Sequence, residues 1–204
     1  IVWKRKDMDN IIIEKVINNN IISAYEKSGA EVIVMGRGIG FKKKQGEVVP
    51  ADQISKIFRI KSRTLAEQFK ELLANMPLER VRISDEIISH EKDHLKLKLN
   101  QSIYVTLTDH INFAIIRNRK NMDIPLPYSY ELEYEYPKLT KIAAWFVKKI
   151  NERMHTTLEK GEITSITMHF LNALEGERIK ENIRDESDYI ASIIKNITSI
   201  IENF

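Results

Sequence analysis

Between Ile11 and Gly46 the chain alternates short β-branched runs with residues that turn easily, and no other stretch limits the fold as much. Residues 12–17, 21–25 and 31–35 are rich in Ile and Val and read as strands. Asn18, Asn19 and Asn20, and then Lys27, Ser28 and Gly29, read as the turns between them, because Asn, Ser and Gly accept turn dihedrals cheaply. The expectation is a small antiparallel meander with a fourth strand around 41–44.

The glycines of this stretch do not build a nucleotide site. Gly36, Gly38 and Gly40 alternate, and the dinucleotide fingerprint would need glycine where Phe41 stands. No Gly-Lys-Ser/Thr of a Walker loop is present. What remains is pliant backbone, Arg37, the Phe41 ring and the ammonium groups of Lys42, Lys43 and Lys44. Those parts suit RNA: cations for phosphates, and a ring or guanidinium plane for an unstacked base. On chemistry alone a glycine-rich hairpin with a solvated lysine tail fits them as well.

The charge balance places the basic character in this region. Through residue 60 there are 11 Lys and Arg against 7 Asp and Glu, a balance of +4, and 21 against 22 beyond it. A domain of this size also has a marginal core, so dimerisation is an expected source of stability. The chain of 204 residues, 43% hydrophobic and 30% charged, suits one or two soluble domains. Zero cysteines exclude disulfides and fit a reducing cytoplasm. No apolar run approaches the roughly 20 residues that span a bilayer, so no membrane insertion is expected. Residues 1–10, with Met8 just before the first strand, are set aside as an N-terminal extension.

KVINNNIIS followed by VIVMGRGIGFKKK resembles the co-antiterminator RNA-binding domain of the bacterial BglG/SacY/LicT transcriptional antiterminators. The resemblance covers nearly all of residues 11–66. It implies a four-stranded domain that clamps an RNA hairpin as a homodimer, so that a terminator cannot fold; DNA is not the partner. Carried over by position, the RNA contacts are Lys15, Asn18, Asn20, Gly36, Arg37, Gly38 and Phe41. Lys42 stands where the family often has Gln, and is counted with them for its added charge.

From Thr64 the apolar period changes from two to about 3.6. Thr64 and Glu67 read as a capping box, and Leu65, Phe69, Leu72, Leu73 and Met76 form a stripe that Pro77 ends. Further helices are expected over 84–97, 102–119, from Leu139 to Met154, and from Gly161 to Leu174. The fold class is therefore α+β and multidomain: a small antiparallel sheet domain, then a five-helix domain over 67–178. The acidic run PYSYELEYEYP reads as a solvated connector.

On spacing alone His110 and His169, beside apolar stripes, are more often satisfied core groups than working ones. LTDHINFAI with a later GEI and MH, however, resembles the PTS regulation domain that follows the RNA-binding domain in the same family. That resemblance implies phosphoryl transfer onto His110 and His169, with Asp109 in support. The donors it implies are the phosphocarrier HPr and a sugar-specific enzyme II of the phosphotransferase system. Neutral imidazole is nucleophilic near pH 7, which suits the role. Thr164 and Ser165 depart from the apolar residues usual there. Arg117 and Arg119 on the same helix would reverse the sign if they paired with a phosphate, but Arg117 lies nearly two turns from His110 and no helix-spaced arginine faces it directly, so a phosphate beside Asp109 is expected to loosen a dimer by repulsion.

His90 and His94 share a helix face but lack a further ligand, so no metal or other cofactor is expected. His155 reads as a surface residue near a helix end. A catalytic cluster of Asp109, His110 and His169 is disfavoured, since no nucleophile elbow, metal motif or cofactor loop accompanies it. A dimeric phosphorylation sensor that never touches RNA remains the alternative. The stripe Ile190, Ile193, Ile194, Ile197, Ile200, Ile201 and Phe204 reads as the opening helix of a second, truncated regulation domain, with 179–204 as linker and helix.

Overall fold

The computed structural model describes residues 11–94, 98–122 and 126–174. The extension at 1–10 and the apolar stripe from Ile190 onward lie outside them. The chain divides into two compact units between Arg82 and Ile83.

The first unit is an antiparallel sheet of β1 (Ile11–Asn18), β2 (Ile21–Tyr25), β3 (Glu31–Met35), β4 (Val48–Val49) and β5 (Lys56–Phe58), in the order β4-β1-β2-β3-β5. The three long strands follow the β-branched runs; the turn at Lys27–Gly29 falls as expected, whereas Asn18 ends β1 and leaves the first turn to Asn19 and Asn20. No strand forms at 41–44. Positive φ at Gly38 (71°) and Lys42 (55°) breaks the extended backbone, and Ile39 turns inward to full burial. The outer strands come later, as β4 and β5, and are too short for their alternation to register in the sequence.

Alternation gives the sheet two buried faces. On one, Ile11, Ile13, Ile22, Ala24, Val32 and Val34 pack with Ile39, Val49 and Ile57. The other carries Ile21, Ile33 and Phe58, and against it lies α1 (Arg63–Ala74). Phe69 of α1 meets Phe58 edge to face, with centroids 5.2 Å apart. Each such side chain, removed from water, contributes about 1.5–3 kcal/mol. Ser62, not Thr64, caps α1, its hydroxyl accepting from Leu65 N. Lys70 of α1 donates to Glu31 at 2.7 Å while Ser23 donates to the same carboxylate at 2.6 Å, and these bonds hold Glu31 below the usual carboxylate range. Pro77 ends this run, but α2 (Leu78–His94) starts at once, several residues before the expected Ser84, which is buried within it.

The second unit is helical, built from the latter part of α2 with α3 (Ile103–Arg119), α4 (Tyr130–Glu135), α5 (Pro137–Met154) and α6 (Gly161–Ala173). Its core joins Leu107, Ile111, Ala114 and Ile115 of α3 to Ala143, Phe146 and Ile150 of α5 and Ile166 and Phe170 of α6. The acidic run is no bare connector. Ser129 caps α4 by accepting from Leu132 N, and Tyr136 is buried. The Ser129 N–H in turn donates to Thr164 Oγ1 at 2.9 Å, which gives one of the two unusual hydroxyls at the start of α6 a use. His155 ends α5 in the left-handed region (φ 52°) and is exposed.

Candidate functional site

In the first unit, the turn after β1 and the loop after β3 are tied into one surface. Asn20 Oδ1 accepts from Gly38 N at 3.0 Å, and the Asn20 carbonyl accepts from Gly36 N at 3.0 Å. Asn18 Oδ1 accepts from Asn20 N at 2.8 Å, while its amide nitrogen donates to Leu73 O at 2.9 Å at the end of α1. Both ends of the Asn18 amide are thus engaged within the protein.

Close packing explains two of the glycines. A Cβ on Gly36 would lie 1.9 Å from Gln53 O, and one on Gly40 2.3 Å from Asn18 O. Gly38 has open space around it but requires φ +71°.

Upon this frame the charged and aromatic side chains stand outward. Arg37, Gly38, Phe41 and Lys42 are exposed, Phe41 by 57% although it is a large apolar ring. Lys42 Nζ lies 5.4 Å from the Phe41 centroid. An exposed aromatic ring beside a cation is costly to hydrate and well suited to stacking. Lys15, exposed on β1, lines a separate groove with Glu14, Glu67, Lys70 and Glu71.

In the second unit the two histidines meet. His110, from the middle of α3, and His169, from α6, have ring centroids 4.9 Å apart at a tilt of 47°. Asp109 beside them is exposed. Burial pushes His169 down to about 4, the neighbouring His110 adding to the effect and Asp109 opposing it. His169 is therefore a neutral imidazole at physiological pH.

A further residue, Glu162, completes this cluster. It is 3% exposed, in the first turn of α6, where the helix dipole favours a carboxylate. Its Oε2 lies 2.8 Å from His110 Nε2, and its Oε1 accepts from Arg117. Arg117 does not face His110 directly but reaches its cluster through Glu162. Residues 110 and 117 are nearly two full turns apart, hence on one face of α3, and the carboxylate bridges the gap. The GEI motif contained Glu162, but sequence spacing assigned it no role.

His90 does not present itself as a ligand: its ring stacks on Trp145 at 4.9 Å and meets Phe146 edge-on at 5.5 Å. Among the described residues no group of three His, Asp or Glu could hold a metal ion, and no helix is long and apolar enough to cross a membrane.

Residues 11–67 match the CAT RNA-binding domain family, and 85–173 match the PRD domain family. The transcription antiterminator LicT of Bacillus subtilis (strain 168) is 39% identical over 190 residues, which cover 93% of this chain and 67% of that protein. The beta-glucoside operon antiterminator of Dickeya chrysanthemi is 34% identical over 190 residues, 93% of this chain and 65% of that one. The chain therefore spans about two thirds of the length of these relatives. The crystal structure of GlcT CAT-PRDI matches with a TM-score of 0.69 at 34% identity, over 82% of this chain and 99% of that one. With an RNA-binding domain and a regulation domain in this order, the chain belongs to the BglG/SacY/LicT family of transcription antiterminators.

Proposed function

We propose that this chain is a sugar-responsive transcription antiterminator, regulatory rather than catalytic, acting in the cytoplasm. As a homodimer it binds an RNA hairpin in an operon leader and keeps the overlapping terminator from forming. The observation that carries this reading is the pinned loop from Gly36 to Lys42, which offers Phe41, Arg37 and Lys42 outward on a frame fixed by Asn18 and Asn20. Phe41 stacks on an unpaired base, Arg37 and Lys42 take phosphate or base edges, and Lys15 adds positive charge along β1. Asn20 and Gly38 offer their remaining amide and backbone edges to the RNA, whereas Gly36, buried with its N–H and C=O held by Asn20 and Ile39, shapes the loop, and Asn18 uses its amide to tie the turn to the end of α1.

Regulation acts on the second unit. HPr and a sugar-specific enzyme II transfer phosphate to His110 and His169, whose adjacency lets one modification alter the other. Neutral His169 keeps a ring lone pair available for attack. Arg117, already at the cluster through Glu162, offsets part of the repulsion that a phosphate there would meet from Asp109.

The deciding experiment pairs a gel shift with phosphorylation. The chain is titrated with a hairpin overlapping a terminator, before and after treatment with enzyme I, HPr and phosphoenolpyruvate. Binding that weakens with salt and changes on phosphorylation is expected, since phosphate neutralisation releases counterions. Phosphate uptake with no hairpin binding at any salt would leave a protein-only phosphorylation sensor.

A further inference from the structure

The contacts of His110 distinguish its two ring nitrogens. Its Nε2 is 2.8 Å from a carboxylate oxygen of Glu162, a residue almost wholly removed from solvent. The other oxygen of that carboxylate is held by Arg117, whose guanidinium also lies 5.4 Å from the Phe113 ring centroid. Glu162 is fixed at both ends and cannot easily swing aside. A carboxylate has only acceptor oxygens, so a ring nitrogen at this distance must supply the hydrogen. The neutral ring therefore carries its proton on Nε2 and its lone pair on Nδ1. A phosphoryl group on Nε2 would have to displace the carboxylate or press negative oxygens against it where water cannot screen them.

We propose that Glu162 is a positioning residue for phosphoryl transfer, fixing the His110 tautomer so that phosphate is accepted on Nδ1 and not on Nε2. This rests on the reading of His110 as a phosphorylation target and adds the atom and the residue that selects it. In the step, the Nδ1 lone pair forms the new bond to phosphorus. The donor's bond to phosphorus breaks, and its electron pair returns to the donor atom. The proton on Nε2 stays on the ring, which becomes an imidazolium whose charge Glu162 stabilises across the same hydrogen bond. Arg117 keeps that carboxylate in register throughout. Among the described residues His169 makes no hydrogen bond with a carboxylate, so the same selection does not extend to it.

The test uses the full 204-residue chain with ¹⁵N-labelled histidine. Ring ¹⁵N shifts of assigned His110 give the tautomer before any phosphate is added, and nitrogen–phosphorus coupling gives the modified atom afterwards. Wild type is expected as the Nε2–H tautomer and, after treatment with charged HPr, as the Nδ1 isomer. Glu162→Gln keeps the shape but removes the charge and allows either tautomer, so its share of Nε2 phosphate should rise on the order of tenfold. A change in the isomer ratio is a readout that mere packing would not move. Should neither HPr nor a sugar-specific enzyme II transfer phosphate, the proposed function fails, and the nitrogen is then read from chain labelled with phosphoramidate. An Nδ1–H tautomer in wild type, phosphate on Nε2 of wild-type His110, or an unchanged ratio in a folded Glu162→Gln chain would overturn the inference. If the variant does not fold, the wild-type tautomer and isomer still decide.

Discussion

His110 and His169 present their rings to each other at 4.9 Å, although one stands mid-helix in α3 and the other in α6. That nearness adds to the burial that lowers the His169 value.

His169 makes the stability of the second unit depend on pH. The folded value of His169 is about 4, against 6.5 for the free side chain. Above pH 6.5 neither the folded nor the unfolded chain protonates it, and nothing is lost. Between 6.5 and 4 the unfolded chain binds a proton that the folded chain refuses, so stability falls as pH drops. The slope is at most about 1.4 kcal/mol per pH unit, and partial exposure lowers the total to on the order of 1–2 kcal/mol. Urea unfolding at pH 7.5 and pH 5 checks this as a difference between wild type and His169→Gln. Parallel losses in the two proteins would assign the pH dependence to other groups.

The exposed loop proposed to meet RNA separates affinity from stability. Arg37 and Phe41 are exposed, so Arg37→Ala and Phe41→Ala should leave the thermal midpoint almost unchanged. Each should weaken hairpin binding by about 1–3 kcal/mol. Lys42→Ala should lower the slope of log affinity against log salt by about one unit, the signature of one lost phosphate contact. Equal affinity of wild type and Phe41→Ala would remove stacking from the account.

The three glycines of the loop should behave differently in denaturation. Gly36→Ala and Gly40→Ala drive a methyl into the backbone oxygens of Gln53 and Asn18, and should cost about 2 kcal/mol or more. Gly38→Ala meets no atom and bears only the left-handed strain, about 1–2 kcal/mol. Gly38→Asn should cost less than Gly38→Ala, because Asn tolerates that region. If all three alanine variants unfold at the same denaturant concentration, the close approaches are not what fixes these positions.

What the sequence made legible is what short-range chemistry controls. β2 and β3 fall where Ile and Val runs end in Asn or Gly, and α5 follows its own apolar stripe from Leu139 to Met154. The strand expected at 41–44 failed because Ile39 gains more by entering the core than the chain gains by staying extended, and no local pattern reports that. Ser62 capping α1, in place of the Thr64 box, is a choice between two hydroxyls two positions apart that propensity cannot make. The face shared by His110 and Arg117 was present in their spacing. The acceptor that unites them was not, because Glu162 arrives from another helix by tertiary packing alone.

That union makes the Arg117–Glu162 pair the most sensitive polar contact of the second unit. Both side chains are nearly buried, Arg117 at 8% and Glu162 at 3% residue exposure, and His110 is their third partner. Removing one member of a buried ion pair leaves the other desolvated and uncompensated, at a cost of about 3–5 kcal/mol. Arg117→Met keeps most of the packing volume and the stacking surface near Phe113, so its loss in urea unfolding reports chiefly on the stranded carboxylate. Glu162→Gln strands the guanidinium but keeps a neutral acceptor, and should cost less. Joined in one chain, the two changes leave no uncompensated charge, and the double variant should be more stable than Arg117→Met alone. A double-mutant cycle then gives a coupling on the order of 1–3 kcal/mol. Additive losses, or less than about 1 kcal/mol for Arg117→Met, would show that water reaches the pair and that the carboxylate is not held as tightly as its burial implies.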